Sequence, residues 1–138
     1  MKFSKKTQYG LRAMVYLAKA YEDKKRFCSL KEISKKEDIS FSYLEKILSK
    51  LEKKKLICSK KGSAGGYHLN CSPKKITVRD IVYFLEVSPN IVDCTYKGKK
   101  CSKTKECEAF EVWNKLQKSL DDTLNSITLF SLIKKNEK

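Results

Sequence analysis

Two short helical segments followed at once by a glycine-rich hairpin restrict the possible fold of this chain more than any other feature. Ser29 and Glu32 stand at the spacing of a capping box, which predicts a helix to about residue 36. Asp38 and Ile39 interrupt this helix, and the next helix is predicted from Ser40 to about residue 55. Its apolar residues recur every three or four positions: Leu44, Ile47, Leu48 and Leu51. Two short helices around so tight a break predict a helix-turn-helix.

The hairpin comes directly after these helices. Residues 56–59 are typical of a short strand, residues 60–66 are basic and rich in glycine, and residues 67–69 form the returning strand. A helix-turn-helix followed by such a hairpin predicts a winged helix. In that fold the second helix of the pair enters the major groove of DNA, and the wing reaches the backbone or the minor groove.

The charge of the chain is strongly positive and uneven. Lys and Arg total 31 against 16 Asp and Glu, a net charge of +15 that indicates a polyanionic partner. Double-stranded DNA is the first candidate and an anionic membrane the second. Residues 1–75 carry 20 basic and 7 acidic side chains, whereas residues 76–138 carry 11 and 9. We therefore assign DNA binding to residues 1–75, and a cysteine loop with a dimerisation helix to residues 76–138 of the same single domain.

The cellular location is predicted from what the sequence lacks. The opening residues, MKFSKKTQYG, contain no apolar region of a signal peptide, and no apolar run approaches the ~18 residues that span a bilayer. We expect a cytoplasmic protein with no membrane partner. Because the cytosol keeps thiols reduced, the six cysteines are not expected to form structural disulfides.

Four further helices complete a fold that is predicted to be mainly α with a small β wing. One is predicted over residues 8–21, one begins after Thr77 and ends before Pro89, a long one covers residues 106–125, and a short one follows Thr128. The long helix carries a stripe of large apolar residues: Phe110, Trp113, Leu116, Leu120 and Leu124. This stripe is too large for a single winged helix. We therefore expect it to pack against the same helix of a second protomer in a homodimer.

The cysteines divide into two groups. Three stand among apolar or strand positions and are interpreted as small buried residues: Cys28, Cys58 and Cys71. The other three lie in one lysine-rich loop, separated by six and five residues: Cys94, Cys101 and Cys107. Neighbouring lysines favour thiolates, and three thiolates form a soft set of ligands for an iron–sulfur cluster or zinc. The absence of CxxC pairs disfavours structural zinc.

Contacts to DNA are predicted at the start of the recognition helix. The candidates are Ser40, Ser42, Tyr43, Glu45 and Lys46. The hydroxyl groups suit phosphates or bases, and the carboxylate of Glu45 can accept a hydrogen bond from the amino group of cytosine. The alternative for Glu45 is a partner within its own helix, such as Ser49.

Further contacts to DNA are predicted at the wing. Lys61 would enter the minor groove or bind phosphate, together with Gly65 and Gly66. The three lysines at residues 53–55 are interpreted as a solvated helix end rather than a phosphate clamp. His68, the single histidine, is interpreted as a surface residue or a minor DNA contact.

These motifs together resemble the IscR-type family of winged-helix regulators over nearly the whole chain. The resemblance rests on residues 5–9, 13–14, 39–45, 62–67 and 125–129 and on the three loop cysteines. It implies a homodimeric transcription regulator, expected to be a repressor, with a long C-terminal dimerisation helix. It also implies switching by an iron–sulfur cluster, with 2Fe–2S favoured over 4Fe–4S, and such a cluster can be lost in a given preparation.

Two departures from this family leave the fourth cluster ligand open. Phe110 stands where the family has a histidine, and Gln8 stands where other members have an acidic residue. The candidate replacements are Glu106, Glu108 and Glu111, or an external thiol or water. The alternative function is a regulator whose cysteines form a zinc or thiol redox switch. An enzyme is not expected, because the sequence contains no nucleophile–base set, paired carboxylates or phosphate-binding loop.

Overall fold

The computed structural model describes residues 2–95, 103 and 106–135, in which the chain forms six α-helices and one two-stranded sheet. The helices are α1 (Lys5–Glu22), α2 (Leu30–Glu37), α3 (Phe41–Lys53), α4 (Val78–Leu85), α5 (Glu108–Ser126) and α6 (Leu129–Lys135). The strands are β1 (Ile57–Lys60) and β2 (Gly66–Leu69). Single 3₁₀ turns lie at Pro73–Lys75 and Asp93–Thr95. The predicted winged helix-turn-helix with a long C-terminal helix is confirmed.

Helix α1 is the centre of the core and contacts α2, α3, α4, α6 and β2. It begins three residues before the predicted start because Ser4 acts as its N-cap, accepting a hydrogen bond from the backbone N–H of Thr7 at 3.2 Å. Its inner face is fully buried: Ala13, Met14, Leu17 and Ala18. Burial of this stripe, rather than helix propensity, provides most of the stability of such a helix.

The helix-turn-helix forms where the capping residues predict it. Ser29 caps α2 and Ser40 caps α3, each accepting a hydrogen bond from the backbone N–H three residues later. Between them Asp38 adopts a left-handed conformation with φ of 54°, which ends α2. The predicted capping box is only half formed. The Glu32 carboxylate bonds to the Tyr16 hydroxyl and to the guanidinium of Arg26 at 2.8 Å.

The wing is an antiparallel hairpin held against the turn that precedes α2. Its register pairs Ile57 with Leu69 and Lys60 with Gly66. Cys28 adds an isolated bridge, since its backbone exchanges hydrogen bonds of 2.9 and 2.7 Å with Tyr67. The base of the wing is therefore fixed to the helix-turn-helix, while residues 61–64 at the tip are exposed.

The C-terminal segment returns to the same core. Thr77 and Asp80 form a complete capping box at the start of α4. Thr128 caps α6 as predicted, accepting from the N–H of Ser131 at 3.1 Å. Thr77 and Thr128 form an isolated antiparallel bridge, and α6 packs on α1 with Leu129 fully buried.

Helix α5 has two different halves. Towards its C-terminus, Leu124 is buried and Leu120 is partly buried against Val78 and Val82 of α4. Towards its N-terminus, Val112, Trp113 and Leu116 are 52%, 38% and 47% exposed. The expectation that the whole stripe packs on a second protomer is corrected for Leu120 and Leu124, which pack within their own chain. Within the described ranges, no helix is long and apolar enough to cross a membrane.

Candidate DNA-binding surface and cysteine site

The outward face of α3 brings most of the predicted DNA-binding residues together. Four of them are exposed on α3 or at its N-cap: Ser40, Ser42, Glu45 and Lys46. The Ser40 oxygen already accepts the capping bond from the Tyr43 N–H at 3.2 Å, so its hydroxyl remains available to donate. Tyr43 lies on the flank, half-buried, with its ring 5.8 Å from that of Tyr9 in an edge-to-face arrangement.

Glu45 lies where two surface grooves meet. One groove runs along α3 and is basic, lined by Lys46, Ser49, Lys50, Lys53 and Lys54. The other lies between α3 and the wing and is lined by Ser49, Glu52, Lys53 and Tyr67. Burial raises the pKa of Tyr67, and the carboxylates of Glu52 and Glu45 add to that rise. Glu45 forms no ion pair among the residues that the structure describes.

The basic groove concentrates positive charge near the recognition helix. The pKa of Lys50 is lowered, first by partial burial and then by the nearby charges of Lys6 and Lys54. Such mutual repulsion is relieved when an anion binds. Lys53 and Lys54 belong to the three-lysine run interpreted as a solvated helix end, and both line this groove. That interpretation stays a prediction.

The wing has a basic tip and a tightly packed base. Lys61 is exposed at the tip, as the predicted contact requires. A β-carbon on Gly65 would lie 2.0 Å from the carbonyl oxygen of Lys60, and one on Gly66 would lie 2.3 Å from that of Cys28. Both positions therefore have a packing reason to be glycine. Their contact with DNA stays a prediction.

His68 is half-buried rather than a freely exposed surface residue, and its interpretation as a minor DNA contact stays a prediction. Its ring stacks on Phe27 with 4.8 Å between ring centroids and lies 5.2 Å from the ring of Tyr21. Its Nε2 atom is buried and has no hydrogen-bond partner in the described part of the chain. His68 opposes Cys58 in the hairpin. Because its ring contacts Tyr21, it packs the base of the wing against the end of α1.

The three scattered cysteines are largely packing residues. Cys28 is fully buried, and that burial raises the pKa of its thiol to about 11, which keeps it protonated and unreactive. Cys58 and Cys71 are half-buried rather than buried. The prediction of small buried residues is thus confirmed for Cys28 and only partly met by the other two.

The two described cysteines of the loop lie at structured positions. Cys94 is half-buried in the 3₁₀ turn Asp93–Thr95, and Cys107 is the exposed N-cap residue of α5, whose side chain makes no capping hydrogen bond. Cys101 lies outside the described residues. Within those residues, no three His, Cys, Asp or Glu side chains are grouped as a metal site. Thiols are nevertheless the donor type that iron–sulfur clusters use, so the donor chemistry fits the expected cofactor.

The candidate fourth ligands do not converge within the described ranges. Glu106, Glu108 and Glu111 are all exposed, and Glu111 forms an ion pair with Lys115 at 3.4 Å. Phe110 is half-buried one turn into α5. The fourth ligand therefore stays open.

Sequence reasoning missed one buried polar residue near this loop. Gln117 of α5 is 6% exposed and accepts a hydrogen bond of 2.8 Å from the backbone N–H of Ile91. The available signal was a polar residue between Trp113 and Leu120 in an otherwise apolar stripe.

Comparison with known proteins identifies the family. The model of the Rrf2 family, described as iron-dependent transcriptional regulators, matches residues 3–135. The transcriptional regulator IscR of Vibrio campbellii is 34% identical over 137 residues, covering 99% of this chain and 80% of the relative. These relatives are transcription regulators, not enzymes.

Solved structures agree with this assignment. The structure of IscR from T. potens superposes with a TM-score of 0.78 at 36% identity, covering 99% of this chain and 89% of that one. That of CymR, the global cysteine regulator of B. subtilis, has a TM-score of 0.81 at 31% identity and covers 99% of both chains. The chain therefore belongs to the Rrf2 family of DNA-binding transcription regulators.

Proposed function

We propose that this protein is a homodimeric repressor that binds operator DNA through α3 and the wing, with a cysteine site that changes its affinity. The observation that carries the proposal is the exposed N-terminal half of α3, where Glu45 lines both the basic groove along α3 and the groove between α3 and the wing. In this division, residues 1–75 read DNA, and residues 76–138 hold the cysteines and the dimer contact. A DNA-binding regulator of this kind acts in the cytoplasm.

The arrangement of α3 gives each side chain a distinct task. The hydroxyls of Ser40 and Ser42 lie at the helix start, where they can contact phosphates or base edges. Glu45 projects from the next turn as an acceptor for a cytosine amino group. Its charge is repelled by phosphate, so it disfavours any register in which no base donor reaches it.

The wing and the lysine groove supply affinity that is independent of sequence. Lys61 at the tip and Lys46 and Lys50 of the basic groove carry charge to the flanks of α3. Each lysine that neutralises a phosphate releases a counterion, which makes binding sensitive to salt.

The test of DNA binding is a salt titration on duplexes selected from a random library by the wild-type protein. For 6–10 phosphate contacts, the affinity is expected to fall by about 10³–10⁵ between about 50 and 200 mM salt. Fluorescence anisotropy of labelled duplexes measures it. A flat salt dependence, or failure to enrich any sequence, would contradict the proposal.

Removing the Glu45 carboxylate is expected to relax the sequence preference rather than abolish binding. Glu45→Ala deletes both the acceptor and the repulsion, so a site containing the recognised cytosine loses about 1–3 kcal/mol while other sites gain. Anisotropy on the selected duplex and on single-base variants measures the ratio. Lys61→Ala is the comparison variant and should weaken all duplexes alike, because a phosphate contact is blind to sequence. An unchanged ratio in Glu45→Ala would show that the placement of α3 is wrong.

The dimer contact is assigned to the exposed apolar residues of α5. Val112, Trp113 and Leu116 share one side of the helix and are not covered by α4. A second copy of the chain can cover them by packing its own α5 antiparallel or parallel to the first. A dimer would present two copies of α3 to half-sites about one or two helical turns apart.

We assign the sensor function to an iron–sulfur cluster held by Cys94, Cys101 and Cys107, with 2Fe–2S favoured over 4Fe–4S. The family description supports iron dependence, and the donor chemistry supports a thiolate-bound group. When bound, the cluster supplies a redox- and iron-sensitive group. The chain's part is to hold Cys94 in its 3₁₀ turn and Cys107 at the start of α5, beside the proposed dimer surface.

A zinc or thiol redox switch is the second candidate, and two observations favour it. The family's histidine position is occupied by Phe110. One solved relative is also named a cysteine regulator. Zinc is colourless, so the visible absorption of anaerobically purified protein separates the two candidates.

A further inference from the structure

Gln117 is a buried polar residue in the middle of the apolar face of α5. It lies one turn after Trp113 and one turn before Leu120 and is 6% exposed. An amide buried without partners costs about 1–3 kcal/mol, so a glutamine here needs its hydrogen bonds satisfied. Leucine at this position would continue the stripe without that requirement.

The amide of Gln117 is fully engaged by three parts of the fold. Its Oε1 accepts from the backbone N–H of Ile91 at 2.8 Å, and its Nε2 lies 3.3 Å from Asp121 Oδ1 and 3.5 Å from the Tyr83 hydroxyl. The Tyr83 hydroxyl also donates to Asp121. Arg79 completes the cluster, 3.9 Å from Asp121 and 4.1 Å from the centre of the Tyr83 ring. The amide thus joins α4, α5 and the segment that leaves α4.

The segment that Gln117 holds leads directly to Cys94. Ile91 lies three residues before Cys94, and the intervening turn is closed by two bonds from Thr95 to the carbonyl of Val92, at 2.8 and 3.3 Å. Cys107 begins the same helix that carries Gln117, ten residues earlier. At the rise of an α-helix, that separation is about 15 Å. The segment that carries Cys94 is thus hydrogen-bonded to the middle of α5, and Cys107 lies at the N-terminus of the same helix.

We propose that Gln117 is a positioning residue that holds the Cys94 segment on α5 and thereby fixes the place of Cys94 relative to Cys107. This inference rests on the proposed role of these cysteines in a thiolate site. The amide acts through the backbone of Ile91 and touches no ligand itself. Groups that orient metal ligands in this indirect way typically contribute 10–100-fold to metal affinity.

The decisive variant is Gln117→Leu, which introduces an apolar side chain of similar size and removes the bond to Ile91. Its rescue is Gln117→Glu combined with Asp121→Asn, which restores an acceptor for the Ile91 N–H while keeping one carboxylate in the cluster. Asn114→Leu is the control, since Asn114 is an exposed amide on the same helix. Thermal melts by circular dichroism establish that each variant is folded.

The first readout does not require any metal. Iodoacetamide labelling followed by peptide mass spectrometry gives the alkylation rate of each cysteine in the whole chain. Cys94 is half-buried in the wild type, and in Gln117→Leu we expect it to be alkylated at least fivefold faster than in the wild type. Cys107 is already exposed and should react at the wild-type rate. The rescue and control variants should match the wild type. An unchanged Cys94 rate in folded Gln117→Leu would overturn the inference. If Gln117→Leu does not fold, the double variant Gln117→Glu with Asp121→Asn becomes the test. A Cys94 alkylation rate in this variant that differs from the wild-type rate would overturn the inference.

The second readout is the affinity of metal-free, reduced protein for Cd²⁺, followed by thiolate-to-metal absorption. We expect a 10–100-fold loss in Gln117→Leu, recovery in the rescue variant and no loss in Asn114→Leu. Faster Cys94 alkylation with unchanged Cd²⁺ affinity would mean that Gln117 stabilises the segment without positioning a ligand, and would overturn the inference. If the wild type binds no Cd²⁺, the proposed metal site fails, and the alkylation rates still decide whether Gln117 holds Cys94.

Discussion

Replacing Leu116 by glutamate is expected to convert the protein to a monomer and to weaken its binding to a two-half-site operator by about 10²–10⁴-fold. Leu116 is 47% exposed in the single chain, so the substitution leaves the folded protomer nearly unaffected. In the proposed dimer the same position is buried, and two carboxylates would face an apolar contact. Each monomer would then bind its half-site independently, so the extra affinity that a dimer gains by binding both half-sites together is lost.

Light scattering coupled to gel filtration measures the mass, and anisotropy on the selected operator measures the affinity. Lys118→Glu is the matched control, because Lys118 is exposed on the same helix but outside the apolar stripe. It should remain dimeric. A dimeric Leu116→Glu protein, or a monomeric wild type at micromolar concentration, would contradict the assignment of this surface.

Replacing Gly66 by alanine is expected to destabilise the protein more than the same replacement of Gly62 at the tip of the wing. Gly66 has φ of +140°, a conformation that costs a non-glycine residue about 1–3 kcal/mol. A β-carbon would also lie 2.3 Å from the carbonyl oxygen of Cys28, where the backbone of the wing pairs with that of Cys28. The overlap is with backbone atoms, so it is relieved only by moving the hairpin off the helix-turn-helix.

Gly62→Ala separates these two effects. Gly62 also has a positive φ, +110°, but nothing lies within 4 Å of its would-be β-carbon. It should therefore lose only the backbone strain energy. Urea denaturation of the two variants gives the difference in the free energy of unfolding. Equal losses would show that the close approach of Gly66 to Cys28 does not constrain the wing.

Local signals predicted most of the fold, because capping and periodicity are set by neighbouring residues. Ser29, Ser40, Thr77 and Thr128 each cap the helix that the sequence assigns to them. The α1 start was predicted late because Ser4 precedes the first apolar residue of the stripe by several positions, and a cap without an adjacent apolar run is a weak signal.

Pairings between distant residues were not predictable from the pattern. The Glu32 carboxylate has a local role available at the α2 N-terminus, yet it bonds to Tyr16 and Arg26, which tertiary packing brings beside it. The place of His68 in the wing hairpin favours a surface residue, but Tyr21 at the end of α1 and Phe27 in the segment that follows α1 pack against its ring.

In the candidate functional site, too, the features set by local sequence were predictable and those set by tertiary packing were not. The residues on α3 follow from helix periodicity, since the apolar positions that face the core leave Ser42, Glu45 and Lys46 facing outward. The apolar residues of α5 recur with the same spacing along the whole helix, but their surroundings differ. Leu124 packs against α4, whereas Leu116 is exposed to solvent in the single chain. A repeat alone does not tell which part of a helix meets its own chain.

The most direct test of the central claim compares operator affinity with and without the group bound by the cysteine site, in protein purified under strict anaerobiosis. Visible spectra with iron, sulfide and zinc analyses identify the group, and anisotropy measures the affinity before and after its removal. We predict visible absorption with iron and sulfide present, its loss in Cys94→Ala but not in Cys58→Ala, and an affinity change of about 5–150-fold. Colourless protein with stoichiometric zinc would contradict the cluster, and an unchanged affinity after removal of any bound group would contradict the switch.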